Sequence, residues 1–324
     1  MKAFVYDTYG SPDVLRCEEI EKPKPGNDEV LIRVRAASVN PLDWHYMRGT
    51  PYLIRIGAGL RAPANPRLGV DLAGTVEAVG TNVTTFRPGD DVFGAGRGAF
   101  AEYVCAKEGK VALKPSNATF EQAAAVPIAA LTALQGLRDK GRIEPGQRVL
   151  FNGAAGGVGT FAVQIARAFG ADVTGVCSRR NVDMVRSIGA DHVIDYEQED
   201  FTRTGLRYDL ILDSVGNHAL SECRRSLTTK GTLVIVGGPD NGGWLGPLAD
   251  VLGVLVQSWF VSQRLVVFVA SLNQPDLAVL KELIESGKVT PVIDRSYPLS
   301  ELPEAIRYLE AGHARGKVVV RPGA

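Results

Sequence analysis

The chain has 324 residues, 45% hydrophobic and 22% charged, with 36 lysines and arginines balanced by 36 aspartates and glutamates. That length exceeds one ordinary core and suits two domains, and the composition excludes a disordered chain. Zero net charge excludes a global field that would draw the protein to nucleic acid or anionic lipid, which leaves a small molecule as the expected partner.

From Met1 to about Lys114 short β-rich runs (Glu29 to Val39, Gly69 to Val79, Ala99 to Ala106) are punctuated by turn chemistry such as Lys24-Pro25-Gly26-Asn27 and Arg87-Pro88-Gly89-Asp90-Asp91. This half is expected to be a β-barrel. After Ala123 the period changes. Arg148 to Gly153 reads as a short apolar strand, and Val158, Phe161, Ala162, Ile165, Ala166 and Phe169 then recur at helical spacing until Gly170. Strands Val173 to Cys177, His192 to Tyr196, Tyr208 to Asp213 and Thr232 to Val236 follow, with helices Val182 to Ile188, capped by Asn181, and Ala219 to Leu227. Strands separated by single helices pair in parallel through right-handed crossovers, so a doubly wound sheet is expected. Pro291 to Pro322 resumes the β-rich style with one amphipathic helix (Leu302, Ala305, Ile306, Leu309) and strand Lys317 to Val320, a tail expected to rejoin the first domain.

The most apolar stretch, Leu245 to Ala270, is broken by Asp250, Gln257 and Arg264, which are costly in lipid, so it is expected to be buried helix and strand and not a membrane span. Cys17, Cys105, Cys177 and Cys223 lie far apart with no C-x-x-C pair and read as reduced thiols. The segment Met1-Lys2-Ala3-Phe4-Val5-Tyr6-Asp7 alternates like a strand and has no signal or transit pattern, so a cytoplasmic location is expected.

The strand ending at Phe151 runs into Asn152-Gly153-Ala154-Ala155-Gly156-Gly157-Val158-Gly159 and a helix, the context of a dinucleotide fingerprint. Gly156, Gly157 and Gly159 leave room for backbone N–H groups to meet a pyrophosphate, although Ala154 holds the first glycine position of the strict G-x-G-x-x-G. The tip of the next strand, Val176-Cys177-Ser178-Arg179-Arg180-Asn181, carries no carboxylate to accept from a ribose 2′-hydroxyl, but a hydroxyl and two guanidiniums that suit a 2′-phosphate. NADPH is the expected cofactor.

These residues resemble the medium-chain dehydrogenase/reductase superfamily and, within it, the zinc-free quinone oxidoreductase branch. The resemblance rests on Ser38-Val39-Asn40-Pro41-Leu42-Asp43, Gly69-Val70-Asp71-Leu72-Ala73-Gly74, Pro88-Gly89-Asp90-Asp91-Val92-Phe93-Gly94, Ala154 to Gly159 and Gly316-Lys317-Val318-Val319-Val320, and covers essentially the whole chain. It implies an α/β protein with a GroES-like β-barrel from both chain ends, residues 1–123 with 290–324, and a Rossmann domain over 124–289. Zinc-dependent members carry a cysteine at Asn40 and a Gly-His-Glu at Gly69-Val70-Asp71, so both expected ligands are missing and no metal is expected. A closed zinc site needs four converging ligands, and the histidines His45, His192, His218 and His313 show no ligand spacing.

The resemblance further places Asn40 beside the nicotinamide, Thr132 at its phosphate or ribose end, Ala155, Gly156, Gly157 and Val158 at the pyrophosphate, and Ser178, Arg179 and Tyr196 around the 2′-phosphate. Val215, Gly237 and Gly238 are expected to line the cofactor through backbone, with Lys317 as a further contact. Without a metal, hydride transfer suits an acceptor that delocalises the arriving charge, a quinone or an α,β-unsaturated ketone or aldehyde. On the loop expected after Asn40, Tyr46 and Tyr52, with His45, are the candidates to wall the pocket or donate to a developing oxyanion. Variable loops around Met47 to Asn65 and Gly238 to Leu255 are expected to shape that pocket. The family's habit implies a homodimer through the edge strand Leu265 to Ala270. An alcohol dehydrogenase with an unrecognised metal site and a non-catalytic NADPH-binding protein are the alternative readings.

Overall fold

A computed structural model describes residues 1–237 and 261–323. Its strands are β1 (Lys2–Val5), β2 (Arg16–Glu19), β3 (Glu29–Val39), β4 (Asp71–Val79), β5 (Asp91–Ala95), β6 (Tyr103–Lys107), β7 (Val111–Leu113), β8 (Arg148–Asn152), β9 (Asp172–Cys177), β10 (His192–Asp195), β11 (Tyr208–Asp213), β12 (Leu227–Ile235), β13 (Arg264–Val267), β14 (Ile293–Pro298) and β15 (Lys317–Arg321). Its described α-helices are α1 (Pro41–Arg48), α2 (Arg55–Ala58), α3 (Phe120–Ala124), α4 (Pro127–Gln135), α5 (Gly157–Ala168), α6 (Val182–Ser187), α7 (Leu220–Arg225), α8 (Gln274–Glu285) and α9 (Leu302–Glu310).

Two compact units divide the chain: residues 1–131, 272–287 and 291–324, and residues 132–271 with 288–290. In the first, β14, β15, β3, β4, β5 and β7 form one sheet in that order, with β6 also paired to β3. The tail does return: β15 lies antiparallel to β3, Val318 opposite Val39. Val30, Ile32, Leu72, Phe100, Val104, Ile306, Val318 and Val320 close the core, which α9 reaches through Leu302, Ala305 and Ile306.

The second unit holds a six-stranded sheet in the order β10-β9-β8-β11-β12-β13. Every neighbouring pair is parallel, the doubly wound arrangement that strand–helix alternation dictates. Leu150, Val176, Ile211 and Leu233 sit in its core. Helix α5 buries Phe161, Ala162, Ile165 and Ala166 and gives way at Gly170, whose φ of 80° is the left-handed geometry that ends a helix.

The division differs from the one expected at residues 123/124 and 289/290. Helix α8 belongs with the first unit, because Asn117 Nδ2 donates to the Ile284 carbonyl and the Ser116 N–H to the Glu285 carboxylate. Its Leu277, Leu280 and Ile284 are buried. The first boundary moves to 131/132 because the Ile128 N–H, in the first turn of α4, is held by Asp71 of β4 at 3.1 Å. Of the stretch Leu245 to Ala270 only the last ten residues are described, and β13 covers a shorter edge than Leu265 to Ala270. No described helix is long and apolar enough to cross a membrane.

Candidate functional site

In the first unit, strand pairing gathers chemistry that lies far apart in sequence. The end of β3 faces the start of β4, Ser38 opposite Asp71, while β15 brings Lys317 to the other side of β3. Ser38, Asn40, Asp43, Asp71 and Lys317 are all buried. Asp71 Oδ2 accepts from the Ser38 hydroxyl at 3.0 Å and from Asn40 Nδ2 at 2.9 Å, and its Oδ1 accepts the Ile128 N–H. The Lys317 ammonium donates to Asn40 Oδ1 and lies 3.6 Å from Asp71. Burial pushes Asp71 up and Lys317 down from their ordinary pKa values, and each opposes the other's shift.

Asn40, expected beside the nicotinamide, has both ends of its amide engaged inside the protein, and Lys317, expected as a further cofactor contact, is 3% exposed with its ammonium turned to Asn40 and Asp71. The reason is electrostatic: a carboxylate as deeply buried as Asp71 needs a cation and donors beside it. With an ammonium seated on Asn40 and 3.6 Å from Asp71, the residues around position 40 do not fit a divalent metal. Among the described residues no three His, Cys, Asp or Glu side chains gather as metal ligands.

The segment after Asn40 is helix α1 and not the expected loop. Pro41 supplies a φ suited to the first turn, and the Asp43 carboxylate accepts the Asn40 N–H at 2.8 Å, closing the helix start. Burial raises the Asp43 carboxyl to a pKa of about 7, against the backbone hydrogen bond from Asn40 that lowers it. His45, a structural residue, binds the Thr50 carbonyl through Nδ1 at 2.8 Å and stacks on Trp44.

Beside α1 lies a cavity of about 240 Å³ whose walls include Tyr6, Leu42, Asp43, Tyr46, Arg67 and Arg97. The loop expected around Met47 to Asn65 contributes Gly57, Ala58, Ala64 and Asn65. Tyr46 is thus at the cavity. Tyr52 is not among its walls, because the Arg55 guanidinium stacks on the Tyr52 ring at 4.8 Å and on Tyr9 at 4.4 Å. Tyr6 escaped the sequence reading, since at the end of an alternating strand it looks like core. It is 2% exposed, and its hydroxyl makes no hydrogen bond to another described residue. Burial, with Tyr9, Tyr46 and Asp43 nearby, raises its pKa and keeps it a proton donor.

In the second unit the glycine-rich turn meets the start of α5. Gly153 has a φ of 92°, and a Cβ on Gly159 would stand 2.1 Å from the Gly153 carbonyl oxygen, so the turn closes only with glycine there. Ala155, Gly156, Gly157 and Val158 surround this helix start, where the first N–H groups lack intrahelical partners. Next to it, at the switch point between β8 and β11, Asn152 Nδ2 donates to Asp213 and Asn217, and Asp213 Oδ1 accepts the Val215 and Gly216 N–H groups at 2.9 Å. This pair, missed in the sequence, shapes the loop that presents Val215. Gly237 follows β12, and a Cβ there would be 2.5 Å from the Ser214 carbonyl oxygen. Gly238 and the loop to Leu255 lie outside the described residues.

Ser178 and Arg179 follow the tip of β9, and the Tyr196 N–H, just past β10, bonds the Cys177 carbonyl at the end of β9 while its ring is exposed. Asn181 holds the expected N-cap position of α6, but its side chain makes no capping bond. A 3-10 turn over Arg179–Asn181 intervenes, so its Nδ2 reaches the Ser178 hydroxyl and its buried Oδ1 has no partner. An orphaned acceptor at this tip fits a ribose hydroxyl, and Arg179, exposed and without an ion pair among the described residues, fits a phosphate. Thr132 is half-buried on α4.

A parallel sheet in this strand order with a glycine turn at its switch point defines a dinucleotide-binding dehydrogenase class. Comparison with known proteins is specific. The profile of the alcohol dehydrogenase GroES-like domain matches residues 26–116, and that described as "Zinc-binding dehydrogenase" matches residues 188–320. The chain is 37% identical to "NAD(P)H oxidoreductase RTN4IP1, mitochondrial" of Bos taurus, covering 99% of this chain and 89% of that one. It is 35% identical to the Arabidopsis thaliana "NADPH-dependent alkenal/one oxidoreductase, chloroplastic", covering 99% and 80%. The solved quinone oxidoreductase of Coxiella burnetii superposes with a TM-score of 0.87 at 32% identity over 100% of this chain and 99% of that one. The chain belongs to the medium-chain dehydrogenase/reductase superfamily, in its quinone oxidoreductase-like branch, and is an oxidoreductase.

Proposed function

We propose that this protein transfers hydride from NADPH to a quinone or an α,β-unsaturated carbonyl acceptor without a metal at the reacting oxygen. The observation that carries the reading is the Lys317 ammonium seated on Asn40 and beside Asp71, a cation where a Lewis acid would need ligands. Bound NADPH supplies the hydride. The N–H groups at the start of α5 hold the pyrophosphate, and Ser178, Arg179 and Tyr196 receive the 2′-phosphate, with no carboxylate from Ser178 to Asn181 to repel it.

In the first unit the cavity takes the acceptor. Its volume, small against roughly 300–1,000 Å³ for ordinary ligand sites, suits a single ring or a short enone. Tyr46 offers a face for a planar acceptor, and the Tyr6 hydroxyl donates to the oxygen on which negative charge develops. Hydride arrives at one carbon of the acceptor, two electrons reduce it, and solvent supplies the balancing proton.

The test is anaerobic oxidation of NADPH and of NADH, with one quinone and one enone, after zinc chelation. Turnover that prefers NADPH and survives chelation is expected; loss on chelation, or no acceptor reduced, overturns the reading. A cytoplasmic homodimer completes it, supported by four free cysteines and by β13 as the last described strand of its sheet.

A further inference from the structure

The cavity beside α1 holds a charge pattern that hydride transfer to a neutral quinone does not require. Arg67 and Arg97 both line it, and neither makes an ion pair or side-chain hydrogen bond with another described residue. Some arginines of this unit are paired, Arg48 with Glu310, Arg16 with Asp7 and Glu18, Arg307 with Asp13 and Glu304, and, among the described residues, others such as Arg33 and Arg61 are not; what sets Arg67 and Arg97 apart is that both line one cavity. Arg67 is half-buried and its stem crosses Gly98, where a Cβ would stand 3.3 Å from Arg67 Cδ and Nε; a φ of 85° also favours glycine at that position. The guanidinium is therefore held against the wall by a glycine that makes room for it, and Arg97 is the residue just before that glycine.

The acidic side of the cavity is weak. Asp43 is the sole carboxylate in its lining, it is bound to the Asn40 N–H, and burial raises it to about 7, so near neutrality it is only partly ionised against two guanidiniums. The remaining walls are tyrosine, leucine, glycine, alanine, valine and asparagine. A slot lined by two phenols and by half-buried Arg67 and exposed Arg97, neither ion-paired among the described residues, matches a ligand with a conjugated carbonyl and a separate anion.

We propose that Arg67 and Arg97 form an anion-binding subsite that selects acceptors bearing a carboxylate, that is, α,β-unsaturated oxo acids over their uncharged counterparts. This rests on the hydride-transfer reading above. Arginine binds a carboxylate through paired N–H donors in a fixed fork, and in a partly desolvated cavity such a contact discriminates strongly against a ligand that leaves it unmet. The chemistry balances as for any enone: hydride from NADPH adds at the carbon β to the ketone, a proton adds at the α carbon, and the carboxylate is unchanged.

The experiment compares 3-benzoylacrylate with its methyl ester as acceptors for NADPH oxidation by the wild-type protein, by Arg67→Met with Arg97→Met, and by Arg67→Lys with Arg97→Lys. The wild-type protein is expected to favour the acid at least tenfold in kcat/KM. The methionine pair should lower the acid's kcat/KM more than tenfold, mainly through KM, while the ester changes less than about twofold and the lysine pair recovers part of the loss. Equal effects on acid and ester, or no preference in the wild type, overturn the proposal. Calorimetric binding of the saturated acid 3-benzoylpropionate separates this from failure of the catalytic reading. If neither acceptor is reduced, affinity that falls more than tenfold in the methionine pair still supports the subsite, and affinity unchanged by it rejects the subsite.

Discussion

Lys317 and Asp71 show how one buried contact sets the terms for its neighbours. Removing the cation leaves a carboxylate sealed away from water with only neutral donors, so Lys317→Met is expected to cost about 3–5 kcal/mol in chemical denaturation. Adding Asp71→Asn to it should return most of that loss, because the pair then disappears together. Asp43 behaves differently. Its folded pKa of about 7 lies above the ordinary 3.8, so between those values the native state holds a proton that the unfolded chain has released. Stability should therefore fall as pH rises from about 4 to about 7 and level off above, and Asp43→Asn should flatten that slope in denaturation curves recorded across the range. None of this was legible in the sequence. Asn40 and Lys317 carried family roles there, but nothing in a linear pattern pairs residues 38–43 with 71 and 317; only the register of three strands does. Tyr6 was hidden for the opposite reason, since its alternation with Phe4 gives an aromatic at that position no mark of function.

At the scale of elements the sequence was far more informative. The switch from period two to helical spacing after Ala123 located strands β8 to β12 within a few residues, and the glycines from Gly153 to Gly159 located the turn into α5, because both signals are local. Segments that tertiary contacts define were read less well: α1 passed for a loop, and α8 went to the wrong unit because its amphipathic pattern says that it packs but not against what. The glycine turn yields a sharp expectation. Gly159→Ala puts a methyl carbon into the Gly153 carbonyl, so the start of α5 must shift. NADPH affinity, followed by fluorescence titration, should drop at least tenfold while the first unit's cavity is untouched. Retained affinity would show that the turn does not seat the cofactor.

For the molecule as a whole, the expected assembly depends on β13. Its partner β12 covers one side, and no described strand covers the other, while Val267 and Val269 are exposed. An apolar sheet edge left in that state invites pairing with a second copy. Light scattering is expected to give twice the chain mass of 34.7 kDa, independent of dilution through the micromolar range; a mass of one chain throughout would refute the dimer. The division into two units was readable in outline because both chain ends share the β-rich style, and its boundaries were not, because contacts and not composition place them.

The joining of β3 to β15 also bears on how the protein is made. Val39 waits for Val318, and Asp71 waits for Lys317, across most of the chain's length. During synthesis the second unit's strands, all contiguous between residues 148 and 267, emerge complete and are free to pair while the ribosome is still working. The first unit has no such option. At roughly 5–20 residues per second, its earliest strands spend more than ten seconds outside the ribosome before their last partner is translated, and Asp71 stays solvated until then. The order of birth is thus inverted in the order of completion: the half that begins the chain is the last to close.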